Sequence, residues 1–351
     1  MDLSPALAWS PPSGWQKMTT IDSHTGGEPF RVVVDGLPPI PGNTVLERRR
    51  YAIEHLDHLR KATIWEPRGH ADMYGGWLGD PVDSDSDISV LFVHNEGFST
   101  MCGHGIIALT KIVLELGILP IEAEETTIRI DTPAGQVTAT ATITDGVVSR
   151  VRFSNVPSFV VSLDAVVEVP NLGPVVYDLA FGGGFYAYVE ASIIGQDLED
   201  IASLVANGRR IKKAVVESTS ITHPDDADLG FLYGVIFTGP PHHTENHSRN
   251  VCVFADGEID RSPTGTGVSG RLALLYARGE IGLGDQLTIE AITGSEFVGQ
   301  VVEVTRVGDV PAIVPEVAGE AHLLGRSEYW FDPSDRTGQG FLLRATIESP
   351  R

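Results

Sequence analysis

Hydrophobic and polar residues alternate in several short runs of this chain. PFRVVVDGL (29–37), DISVLFVHN (87–95), TIRIDT (127–132) and QVTATATI (136–143) read as strands separated by turn residues. Two segments break that rhythm. GIIALTKIVLEL (105–116) and GVSGRLALLYAR (267–278) carry apolar residues at helical spacing, and Gly117 or Gly279 follows as a stop. A further helix is expected over 197–206, where DLED supplies an acidic first turn. Residues 1–16, interrupted by prolines, read as a loose leader.

The two glycine-stopped helices belong to an internal repeat. A shift of 162 places Cys102-Gly103-His104-Gly105 on Thr264-Gly265-Thr266-Gly267 and Gly117 on Gly279. Downstream, TIRIDTPAG (127–135) resembles LTIEAITG (287–294) after a small gap. An α/β fold of two pseudo-symmetric halves follows, each with strands around one central helix. The two helix N-termini then face each other across a cleft. The first half is expected at 17–170, rejoined by the C-terminal 331–351, and the second at 171–330.

Composition narrows the partners. The chain has 351 residues, 42 % hydrophobic and 21 % charged, as in globular proteins. Its net charge of −22 disfavours nucleic acid and anionic membranes, and it repels a purely anionic substrate but not a zwitterion. MDLSPALAWSPPSGW has no basic start and no long apolar run, so it does not read as a signal peptide. Two cysteines, Cys102 and Cys252, form no disulfide framework, and a cytoplasmic location is expected.

Candidate chemistry centres on the two glycine loops. Cys102 sits in STMCGHG immediately before a helix, whose free N–H groups lower a thiol pKa from its usual ~8.5. Thr264 occupies the matching position in DRSPTGTG but does not ionise near neutral pH. Cys252, in the apolar run NVCVFAD, reads as a packed strand residue. GTGVSG (265–270) matches a dinucleotide fingerprint by letters only, because no apolar strand runs into its first glycine. PPHHTENH (240–247) reads as a solvated or substrate-lining loop, and no metal is expected there. Paired helix N-termini suit one carboxylate, and Asp260 beside them suits an ammonium. Together these describe an amino acid.

DSHTGGEPFRVV (22–33), MCGHG (101–105) and DRSPTGTG (260–267) resemble the proline racemase superfamily, and the resemblance runs along essentially the whole chain. It implies a fold like that of diaminopimelate epimerase, with the site between two similar halves and no cofactor. Racemases and epimerases of this superfamily carry a cysteine in both loops. The Cys102/Thr264 pair instead resembles its trans-3-hydroxy-L-proline dehydratase branch. By matching position, Cys102 is implied to be the base, with Thr264 opposite it. Gly103, His104, Gly265 and Thr266 are implied to bind the carboxylate and Asp260 the ring nitrogen, with His243 as a further contact from a loosely matching loop.

The implied reaction is loss of water from trans-3-hydroxy-L-proline, through the Δ2 enamine, to Δ1-pyrroline-2-carboxylate. Elimination needs no proton returned to the far face of Cα, which explains a threonine at position 264. In this substrate the hydroxyl shares a ring face with the α-hydrogen, so the loss is syn. Cys102 itself or His104 then protonates the departing oxygen. The alternatives are a proline racemase or hydroxyproline 2-epimerase and, from another class, a non-catalytic amino-acid-binding protein. The expected partner is a small-molecule amino acid, with a homodimer as the assembly to be tested.

Overall fold

The computed structural model describes residues 1–343, so the C-terminal end of the expected 331–351 segment lies outside the described residues. Six helices occur among them: α1 (Ser4–Ala8), α2 (Val45–His55), α3 (Asp57–Ile64), α4 (Gly103–Glu115), α5 (Ile201–Ser218) and α6 (Gly265–Arg278). The strands join into one 18-stranded sheet. No helix among the described residues is long and apolar enough to cross a membrane.

The repeat read from the sequence is a repeat of structure. Strand Ile88–His94, the short strand Gly97–Phe98, α4 and strands Glu125–Thr132, Gly135–Thr144 and Val147–Ser154 form one series. Strand Ser248–Phe254, the short strand Glu258–Ile259, α6 and strands Gln286–Glu290, Glu296–Val307 and Val310–Gly319 repeat it in the same order. In each series the helix crosses between parallel strands, 88–89 with 130–131 and 248–249 with 289–290. A parallel pair needs such a crossover, because a tight turn cannot reverse the chain twice. This is the two-halved, diaminopimelate epimerase-like plan.

Helices α4 and α6 are buried along most of their length, Gly103 through Leu114 in the first and Gly265 through Gly270 with Leu272–Leu275 in the second. A helix apolar on nearly every side cannot lie on a surface, so strands wrap around it. Gly117 (φ 68°) and Gly279 (φ 72°) end the two helices in the left-handed region, where a residue without Cβ is unstrained.

Strand pairing draws the line between the halves differently from the sequence expectation. Strand Ser158–Val169 pairs with Gly173–Phe181 and so belongs with the second half, not the first. Strand Ala321–Phe331 pairs with Gln16–Thr25 and so belongs with the first half. Each half therefore gains one strand that the boundaries at 170 and 330 had placed in the other. Nothing local marks such a strand, because its partner is remote in sequence.

The helix expected over 197–206 begins at Ile201 and runs to Ser218. Asp200 stands outside it as the N-cap, accepting a hydrogen bond from the Ser203 amide, which explains the acidic residues before the helix. The leader is not uniformly loose: it contains α1, and Trp9 packs against Trp330 with ring centroids 4.7 Å apart.

Candidate active site

Cys102 and Thr264 are the N-cap residues of α4 and α6. Their neighbours Gly103 and Gly265 meet where the halves touch, with the Phe153 ring against both. The first-turn amides of a helix have no carbonyl four residues back. Those of Gly103 and His104 thus converge with those of Gly265 and Thr266, two positive helix ends aimed at one point. Three residues into each loop a second glycine clears room for the working side chain. A β carbon on Gly105 would lie 2.9 Å from Cys102 Sγ, and one on Gly267 would lie 3.1 Å from Thr264 Cβ.

The two loops differ in backbone as well as in side chain. Cys102 is extended (φ −148°, ψ 106°), whereas Thr264 sits at φ 66°, ψ 94°. A β-branched residue at positive φ is an outlier, strained by roughly 1–3 kcal/mol, of a kind that clusters at functional sites. Thr264 Oγ1 is also buried without a hydrogen-bond partner among the described residues.

Cys102 is 4 % exposed. Its sulfur accepts a hydrogen bond from the Gly105 amide at 3.3 Å and lies 3.2 Å from His104 Nδ1. The expected lowering of its pKa is reversed in this closed arrangement. Burial pushes the thiol well up, and the Asp260 and Glu28 carboxylates add to that push against the pull of the Gly105 amide. His104 is also buried, and desolvation lowers its imidazole pKa to about 3, leaving the ring neutral.

Asp260 is 5 % exposed, and burial raises its pKa to about 6 although the Ser262 amide donates to Oδ1 at 2.7 Å. Behind it, the fully buried Glu28 accepts a hydrogen bond from the Arg261 amide at 2.7 Å. The Arg261 side chain reaches the Asp72 carbonyl at 2.6 Å. The DSHTGGE segment of the first half thus clamps the DRSPTG loop of the second.

One small cavity joins these groups. It is lined by Cys102, Gly103, His104, Asp260, Thr264, Gly265 and Thr266, all anticipated from the sequence, and its enclosed space is about 20 Å³. That is room for roughly one water molecule. The cavity must enlarge to admit any larger molecule. His243, the remaining predicted contact, does not line this cavity. It lies exposed on its loop, where its amide donates to Glu290 at 2.8 Å, because Glu290 gathers that loop at the edge of the second half.

Sequence reasoning missed the aromatic wall formed by Tyr74, Tyr186, Tyr233 and Phe254. Tyr74 Oη lies 2.5 Å from Ser99 Oγ and 3.0 Å from Tyr233 Oη, and Tyr186 Oη lies 2.7 Å from Thr266 Oγ1. Burial raises the pKa of all three phenols well above normal, so they stay protonated. The repeat held a signal for two of them, because Tyr74-Gly75 and Tyr233-Gly234 are Tyr-Gly pairs 159 residues apart. Cys252 is a fully buried strand residue as expected, yet it too reaches the cavity wall.

The family model described as proline racemase matches residues 20–342. This chain belongs to the proline racemase family. Family members with assigned names include a trans-3-hydroxy-L-proline dehydratase of Colwellia psychrerythraea (strain 34H / ATCC BAA-681), 46 % identical over 341 residues and covering 96 % of each chain. A 3-hydroxyproline 2-epimerase of Burkholderia multivorans (strain ATCC 17616 / 249) is 43 % identical, covering 94 % of this chain and 99 % of its own. Among solved structures, a hydroxyproline epimerase from Agrobacterium vitis with bound trans-4-hydroxy-L-proline aligns with a TM-score of 0.88 at 31 % identity, covering 93 % of this chain and 96 % of that one. In this proline racemase family member, the loop pair at the two helix starts is the candidate site.

Proposed function

We propose that the protein dehydrates trans-3-hydroxy-L-proline to Δ1-pyrroline-2-carboxylate. The observation that carries this reading is the unlike pair at the helix starts, a thiol at Cys102 and a threonine hydroxyl at Thr264. A racemase needs an acid on each face of Cα, whereas an elimination needs a base on one face only. The Colwellia psychrerythraea relative that bears the dehydratase name supports the same choice.

In this reading the substrate carboxylate rests on the first-turn amides of Gly103, His104, Gly265 and Thr266. Its ring ammonium faces Asp260. Cys102, as thiolate, takes the α-proton. The buried sulfur ionises more readily once a cationic nitrogen lies beside it, which offsets the neighbouring carboxylates. Electrons from the C–H bond form the Cα–C3 double bond as the C3–O bond breaks. The enamine then tautomerises to the imine.

Incubation with trans-3-hydroxy-L-proline, with the imine trapped by o-aminobenzaldehyde and optical rotation followed separately, tests the proposal. Imine formation without prior inversion is the expected result. Inversion at Cα without imine would overturn it in favour of an epimerase.

A further inference from the structure

The reaction as proposed leaves one proton unassigned, the one that turns the departing hydroxyl into water. We infer that Tyr74 is the catalytic acid that supplies it. The inference rests on the dehydratase reading, and three observations about this residue carry it.

The first is position. Because the 3-hydroxyl and the α-hydrogen share a ring face, the acid must stand on the same side as the base. Tyr74 lines the cavity with Cys102, and its ring packs edge-on against that of His104 at 4.9 Å, which itself lies beside the Cys102 sulfur. The second is supply. The Tyr74 phenol is fully protonated at neutral pH and joined to Ser99 Oγ and Tyr233 Oη, which hold it in place. A phenol is a stronger acid than water, so it can give its proton to the oxygen as the C3–O bond breaks.

The third is how four other cavity groups are engaged. His104 is neutral, with an imidazole pKa of about 3, and its Nδ1 is 3.2 Å from Cys102 Sγ. Tyr186 is tied to Thr266 in the opposite loop at 2.7 Å. Asp260 faces the ring nitrogen, and Thr264 stands across from Cys102.

The step balances without an outside acid. Cys102 thiolate takes the α-proton and becomes a thiol. The C3–O bond breaks as Tyr74 gives its phenolic proton to that oxygen, so water and a phenolate form. The Cys102 thiol then returns its proton to the Tyr74 phenolate, and both groups regain their starting states.

Tyr74→Phe is tested on two substrates, trans-3-hydroxy-L-proline and trans-3-chloro-L-proline. Chloride leaves without a proton, so its elimination needs Cys102 but not Tyr74. Expected are a loss of dehydration of roughly 10²–10⁴-fold and chloride release within a few-fold of wild type. Unreacted 3-hydroxy substrate recovered from D₂O should carry deuterium at Cα. Equal loss on both substrates would show a purely structural role and overturn the inference, as would undiminished dehydration. Binding of pyrrole-2-carboxylate confirms that the variant is folded, and Tyr74→Met replaces it otherwise, with the same expected split. Wild type that fails to dehydrate the 3-hydroxy substrate would sink the dehydratase reading itself, a different outcome from a Tyr74→Phe variant that dehydrates normally.

Discussion

Gly103 and Gly265 touch across the boundary between the halves. A β carbon on Gly103 would lie 2.5 Å from Cα of Gly265, and one on Gly265 would lie 2.6 Å from Cα of Gly103. No other residue type lets the two helix starts come so close. In the proposed reading, their amides serve one carboxylate only while this contact holds.

Gly103→Ala and Gly265→Ala should therefore each force the helix starts apart. Thermal unfolding should show a loss of stability of roughly 1–3 kcal/mol, the usual cost of overpacking. Affinity for pyrrole-2-carboxylate, a planar mimic of the carbanion, should fall with it. Unchanged affinity in both variants would detach the carboxylate from these amides.

Cys102→Ser should abolish turnover and leave pyrrole-2-carboxylate binding intact. A hydroxyl accepts the Gly105 amide as the sulfur does, but a serine alkoxide is out of reach where a thiolate is not. Single-turnover imine trapping and a binding titration on the same preparation check the two halves of this statement.

Asp260 predicts two pH dependences of opposite sense. With a folded pKa of about 6, the carboxylate proposed to face the ring nitrogen is lost below that pH, so kcat/KM should fall on the acid side with an apparent pKa near 6. Stability runs the other way. A carboxyl raised above its unfolded pKa of ~3.9 binds protons more tightly when folded, so this group favours folding as pH drops from 7 to 4. Asp260→Asn should accordingly raise the melting temperature at pH 7 more than at pH 4, while losing activity at both.

Thr264→Cys should restore a two-thiol site. The side chains are similar in size, and replacing a β-branched residue at φ 66° eases the backbone. The variant should fold with at least wild-type stability and exchange and invert the α-hydrogen of L-proline in D₂O. Wild type should show little inversion, since nothing at Thr264 can protonate Cα. Brisk racemisation of proline by wild type would mean that another acid serves the far face of Cα and that the threonine does not set the reaction.

The sequence by itself determined the repeat, the two buried helices and the identity of most groups that meet in the cleft. Cys102, Thr264 and Asp260 could be read there because helix starts, glycine pairs and the register of the repeat are local properties. Tertiary structure decided what depends on distant strands and on burial. Exchange of strands Ser158–Val169 and Ala321–Phe331 between halves rests on long-range pairing. The Tyr74, Tyr186 and Tyr233 wall assembles from separate strands, so these side chains line one cavity only in the folded state. His243 lies outside the cavity lining, on a loop whose amide donates to Glu290, a pairing no local pattern shows. The direction of the Cys102 pKa belongs to the same class. A helix N-terminus visible in the sequence lowers it, but desolvation, which no local pattern encodes, outweighs the single Gly105 amide and raises it.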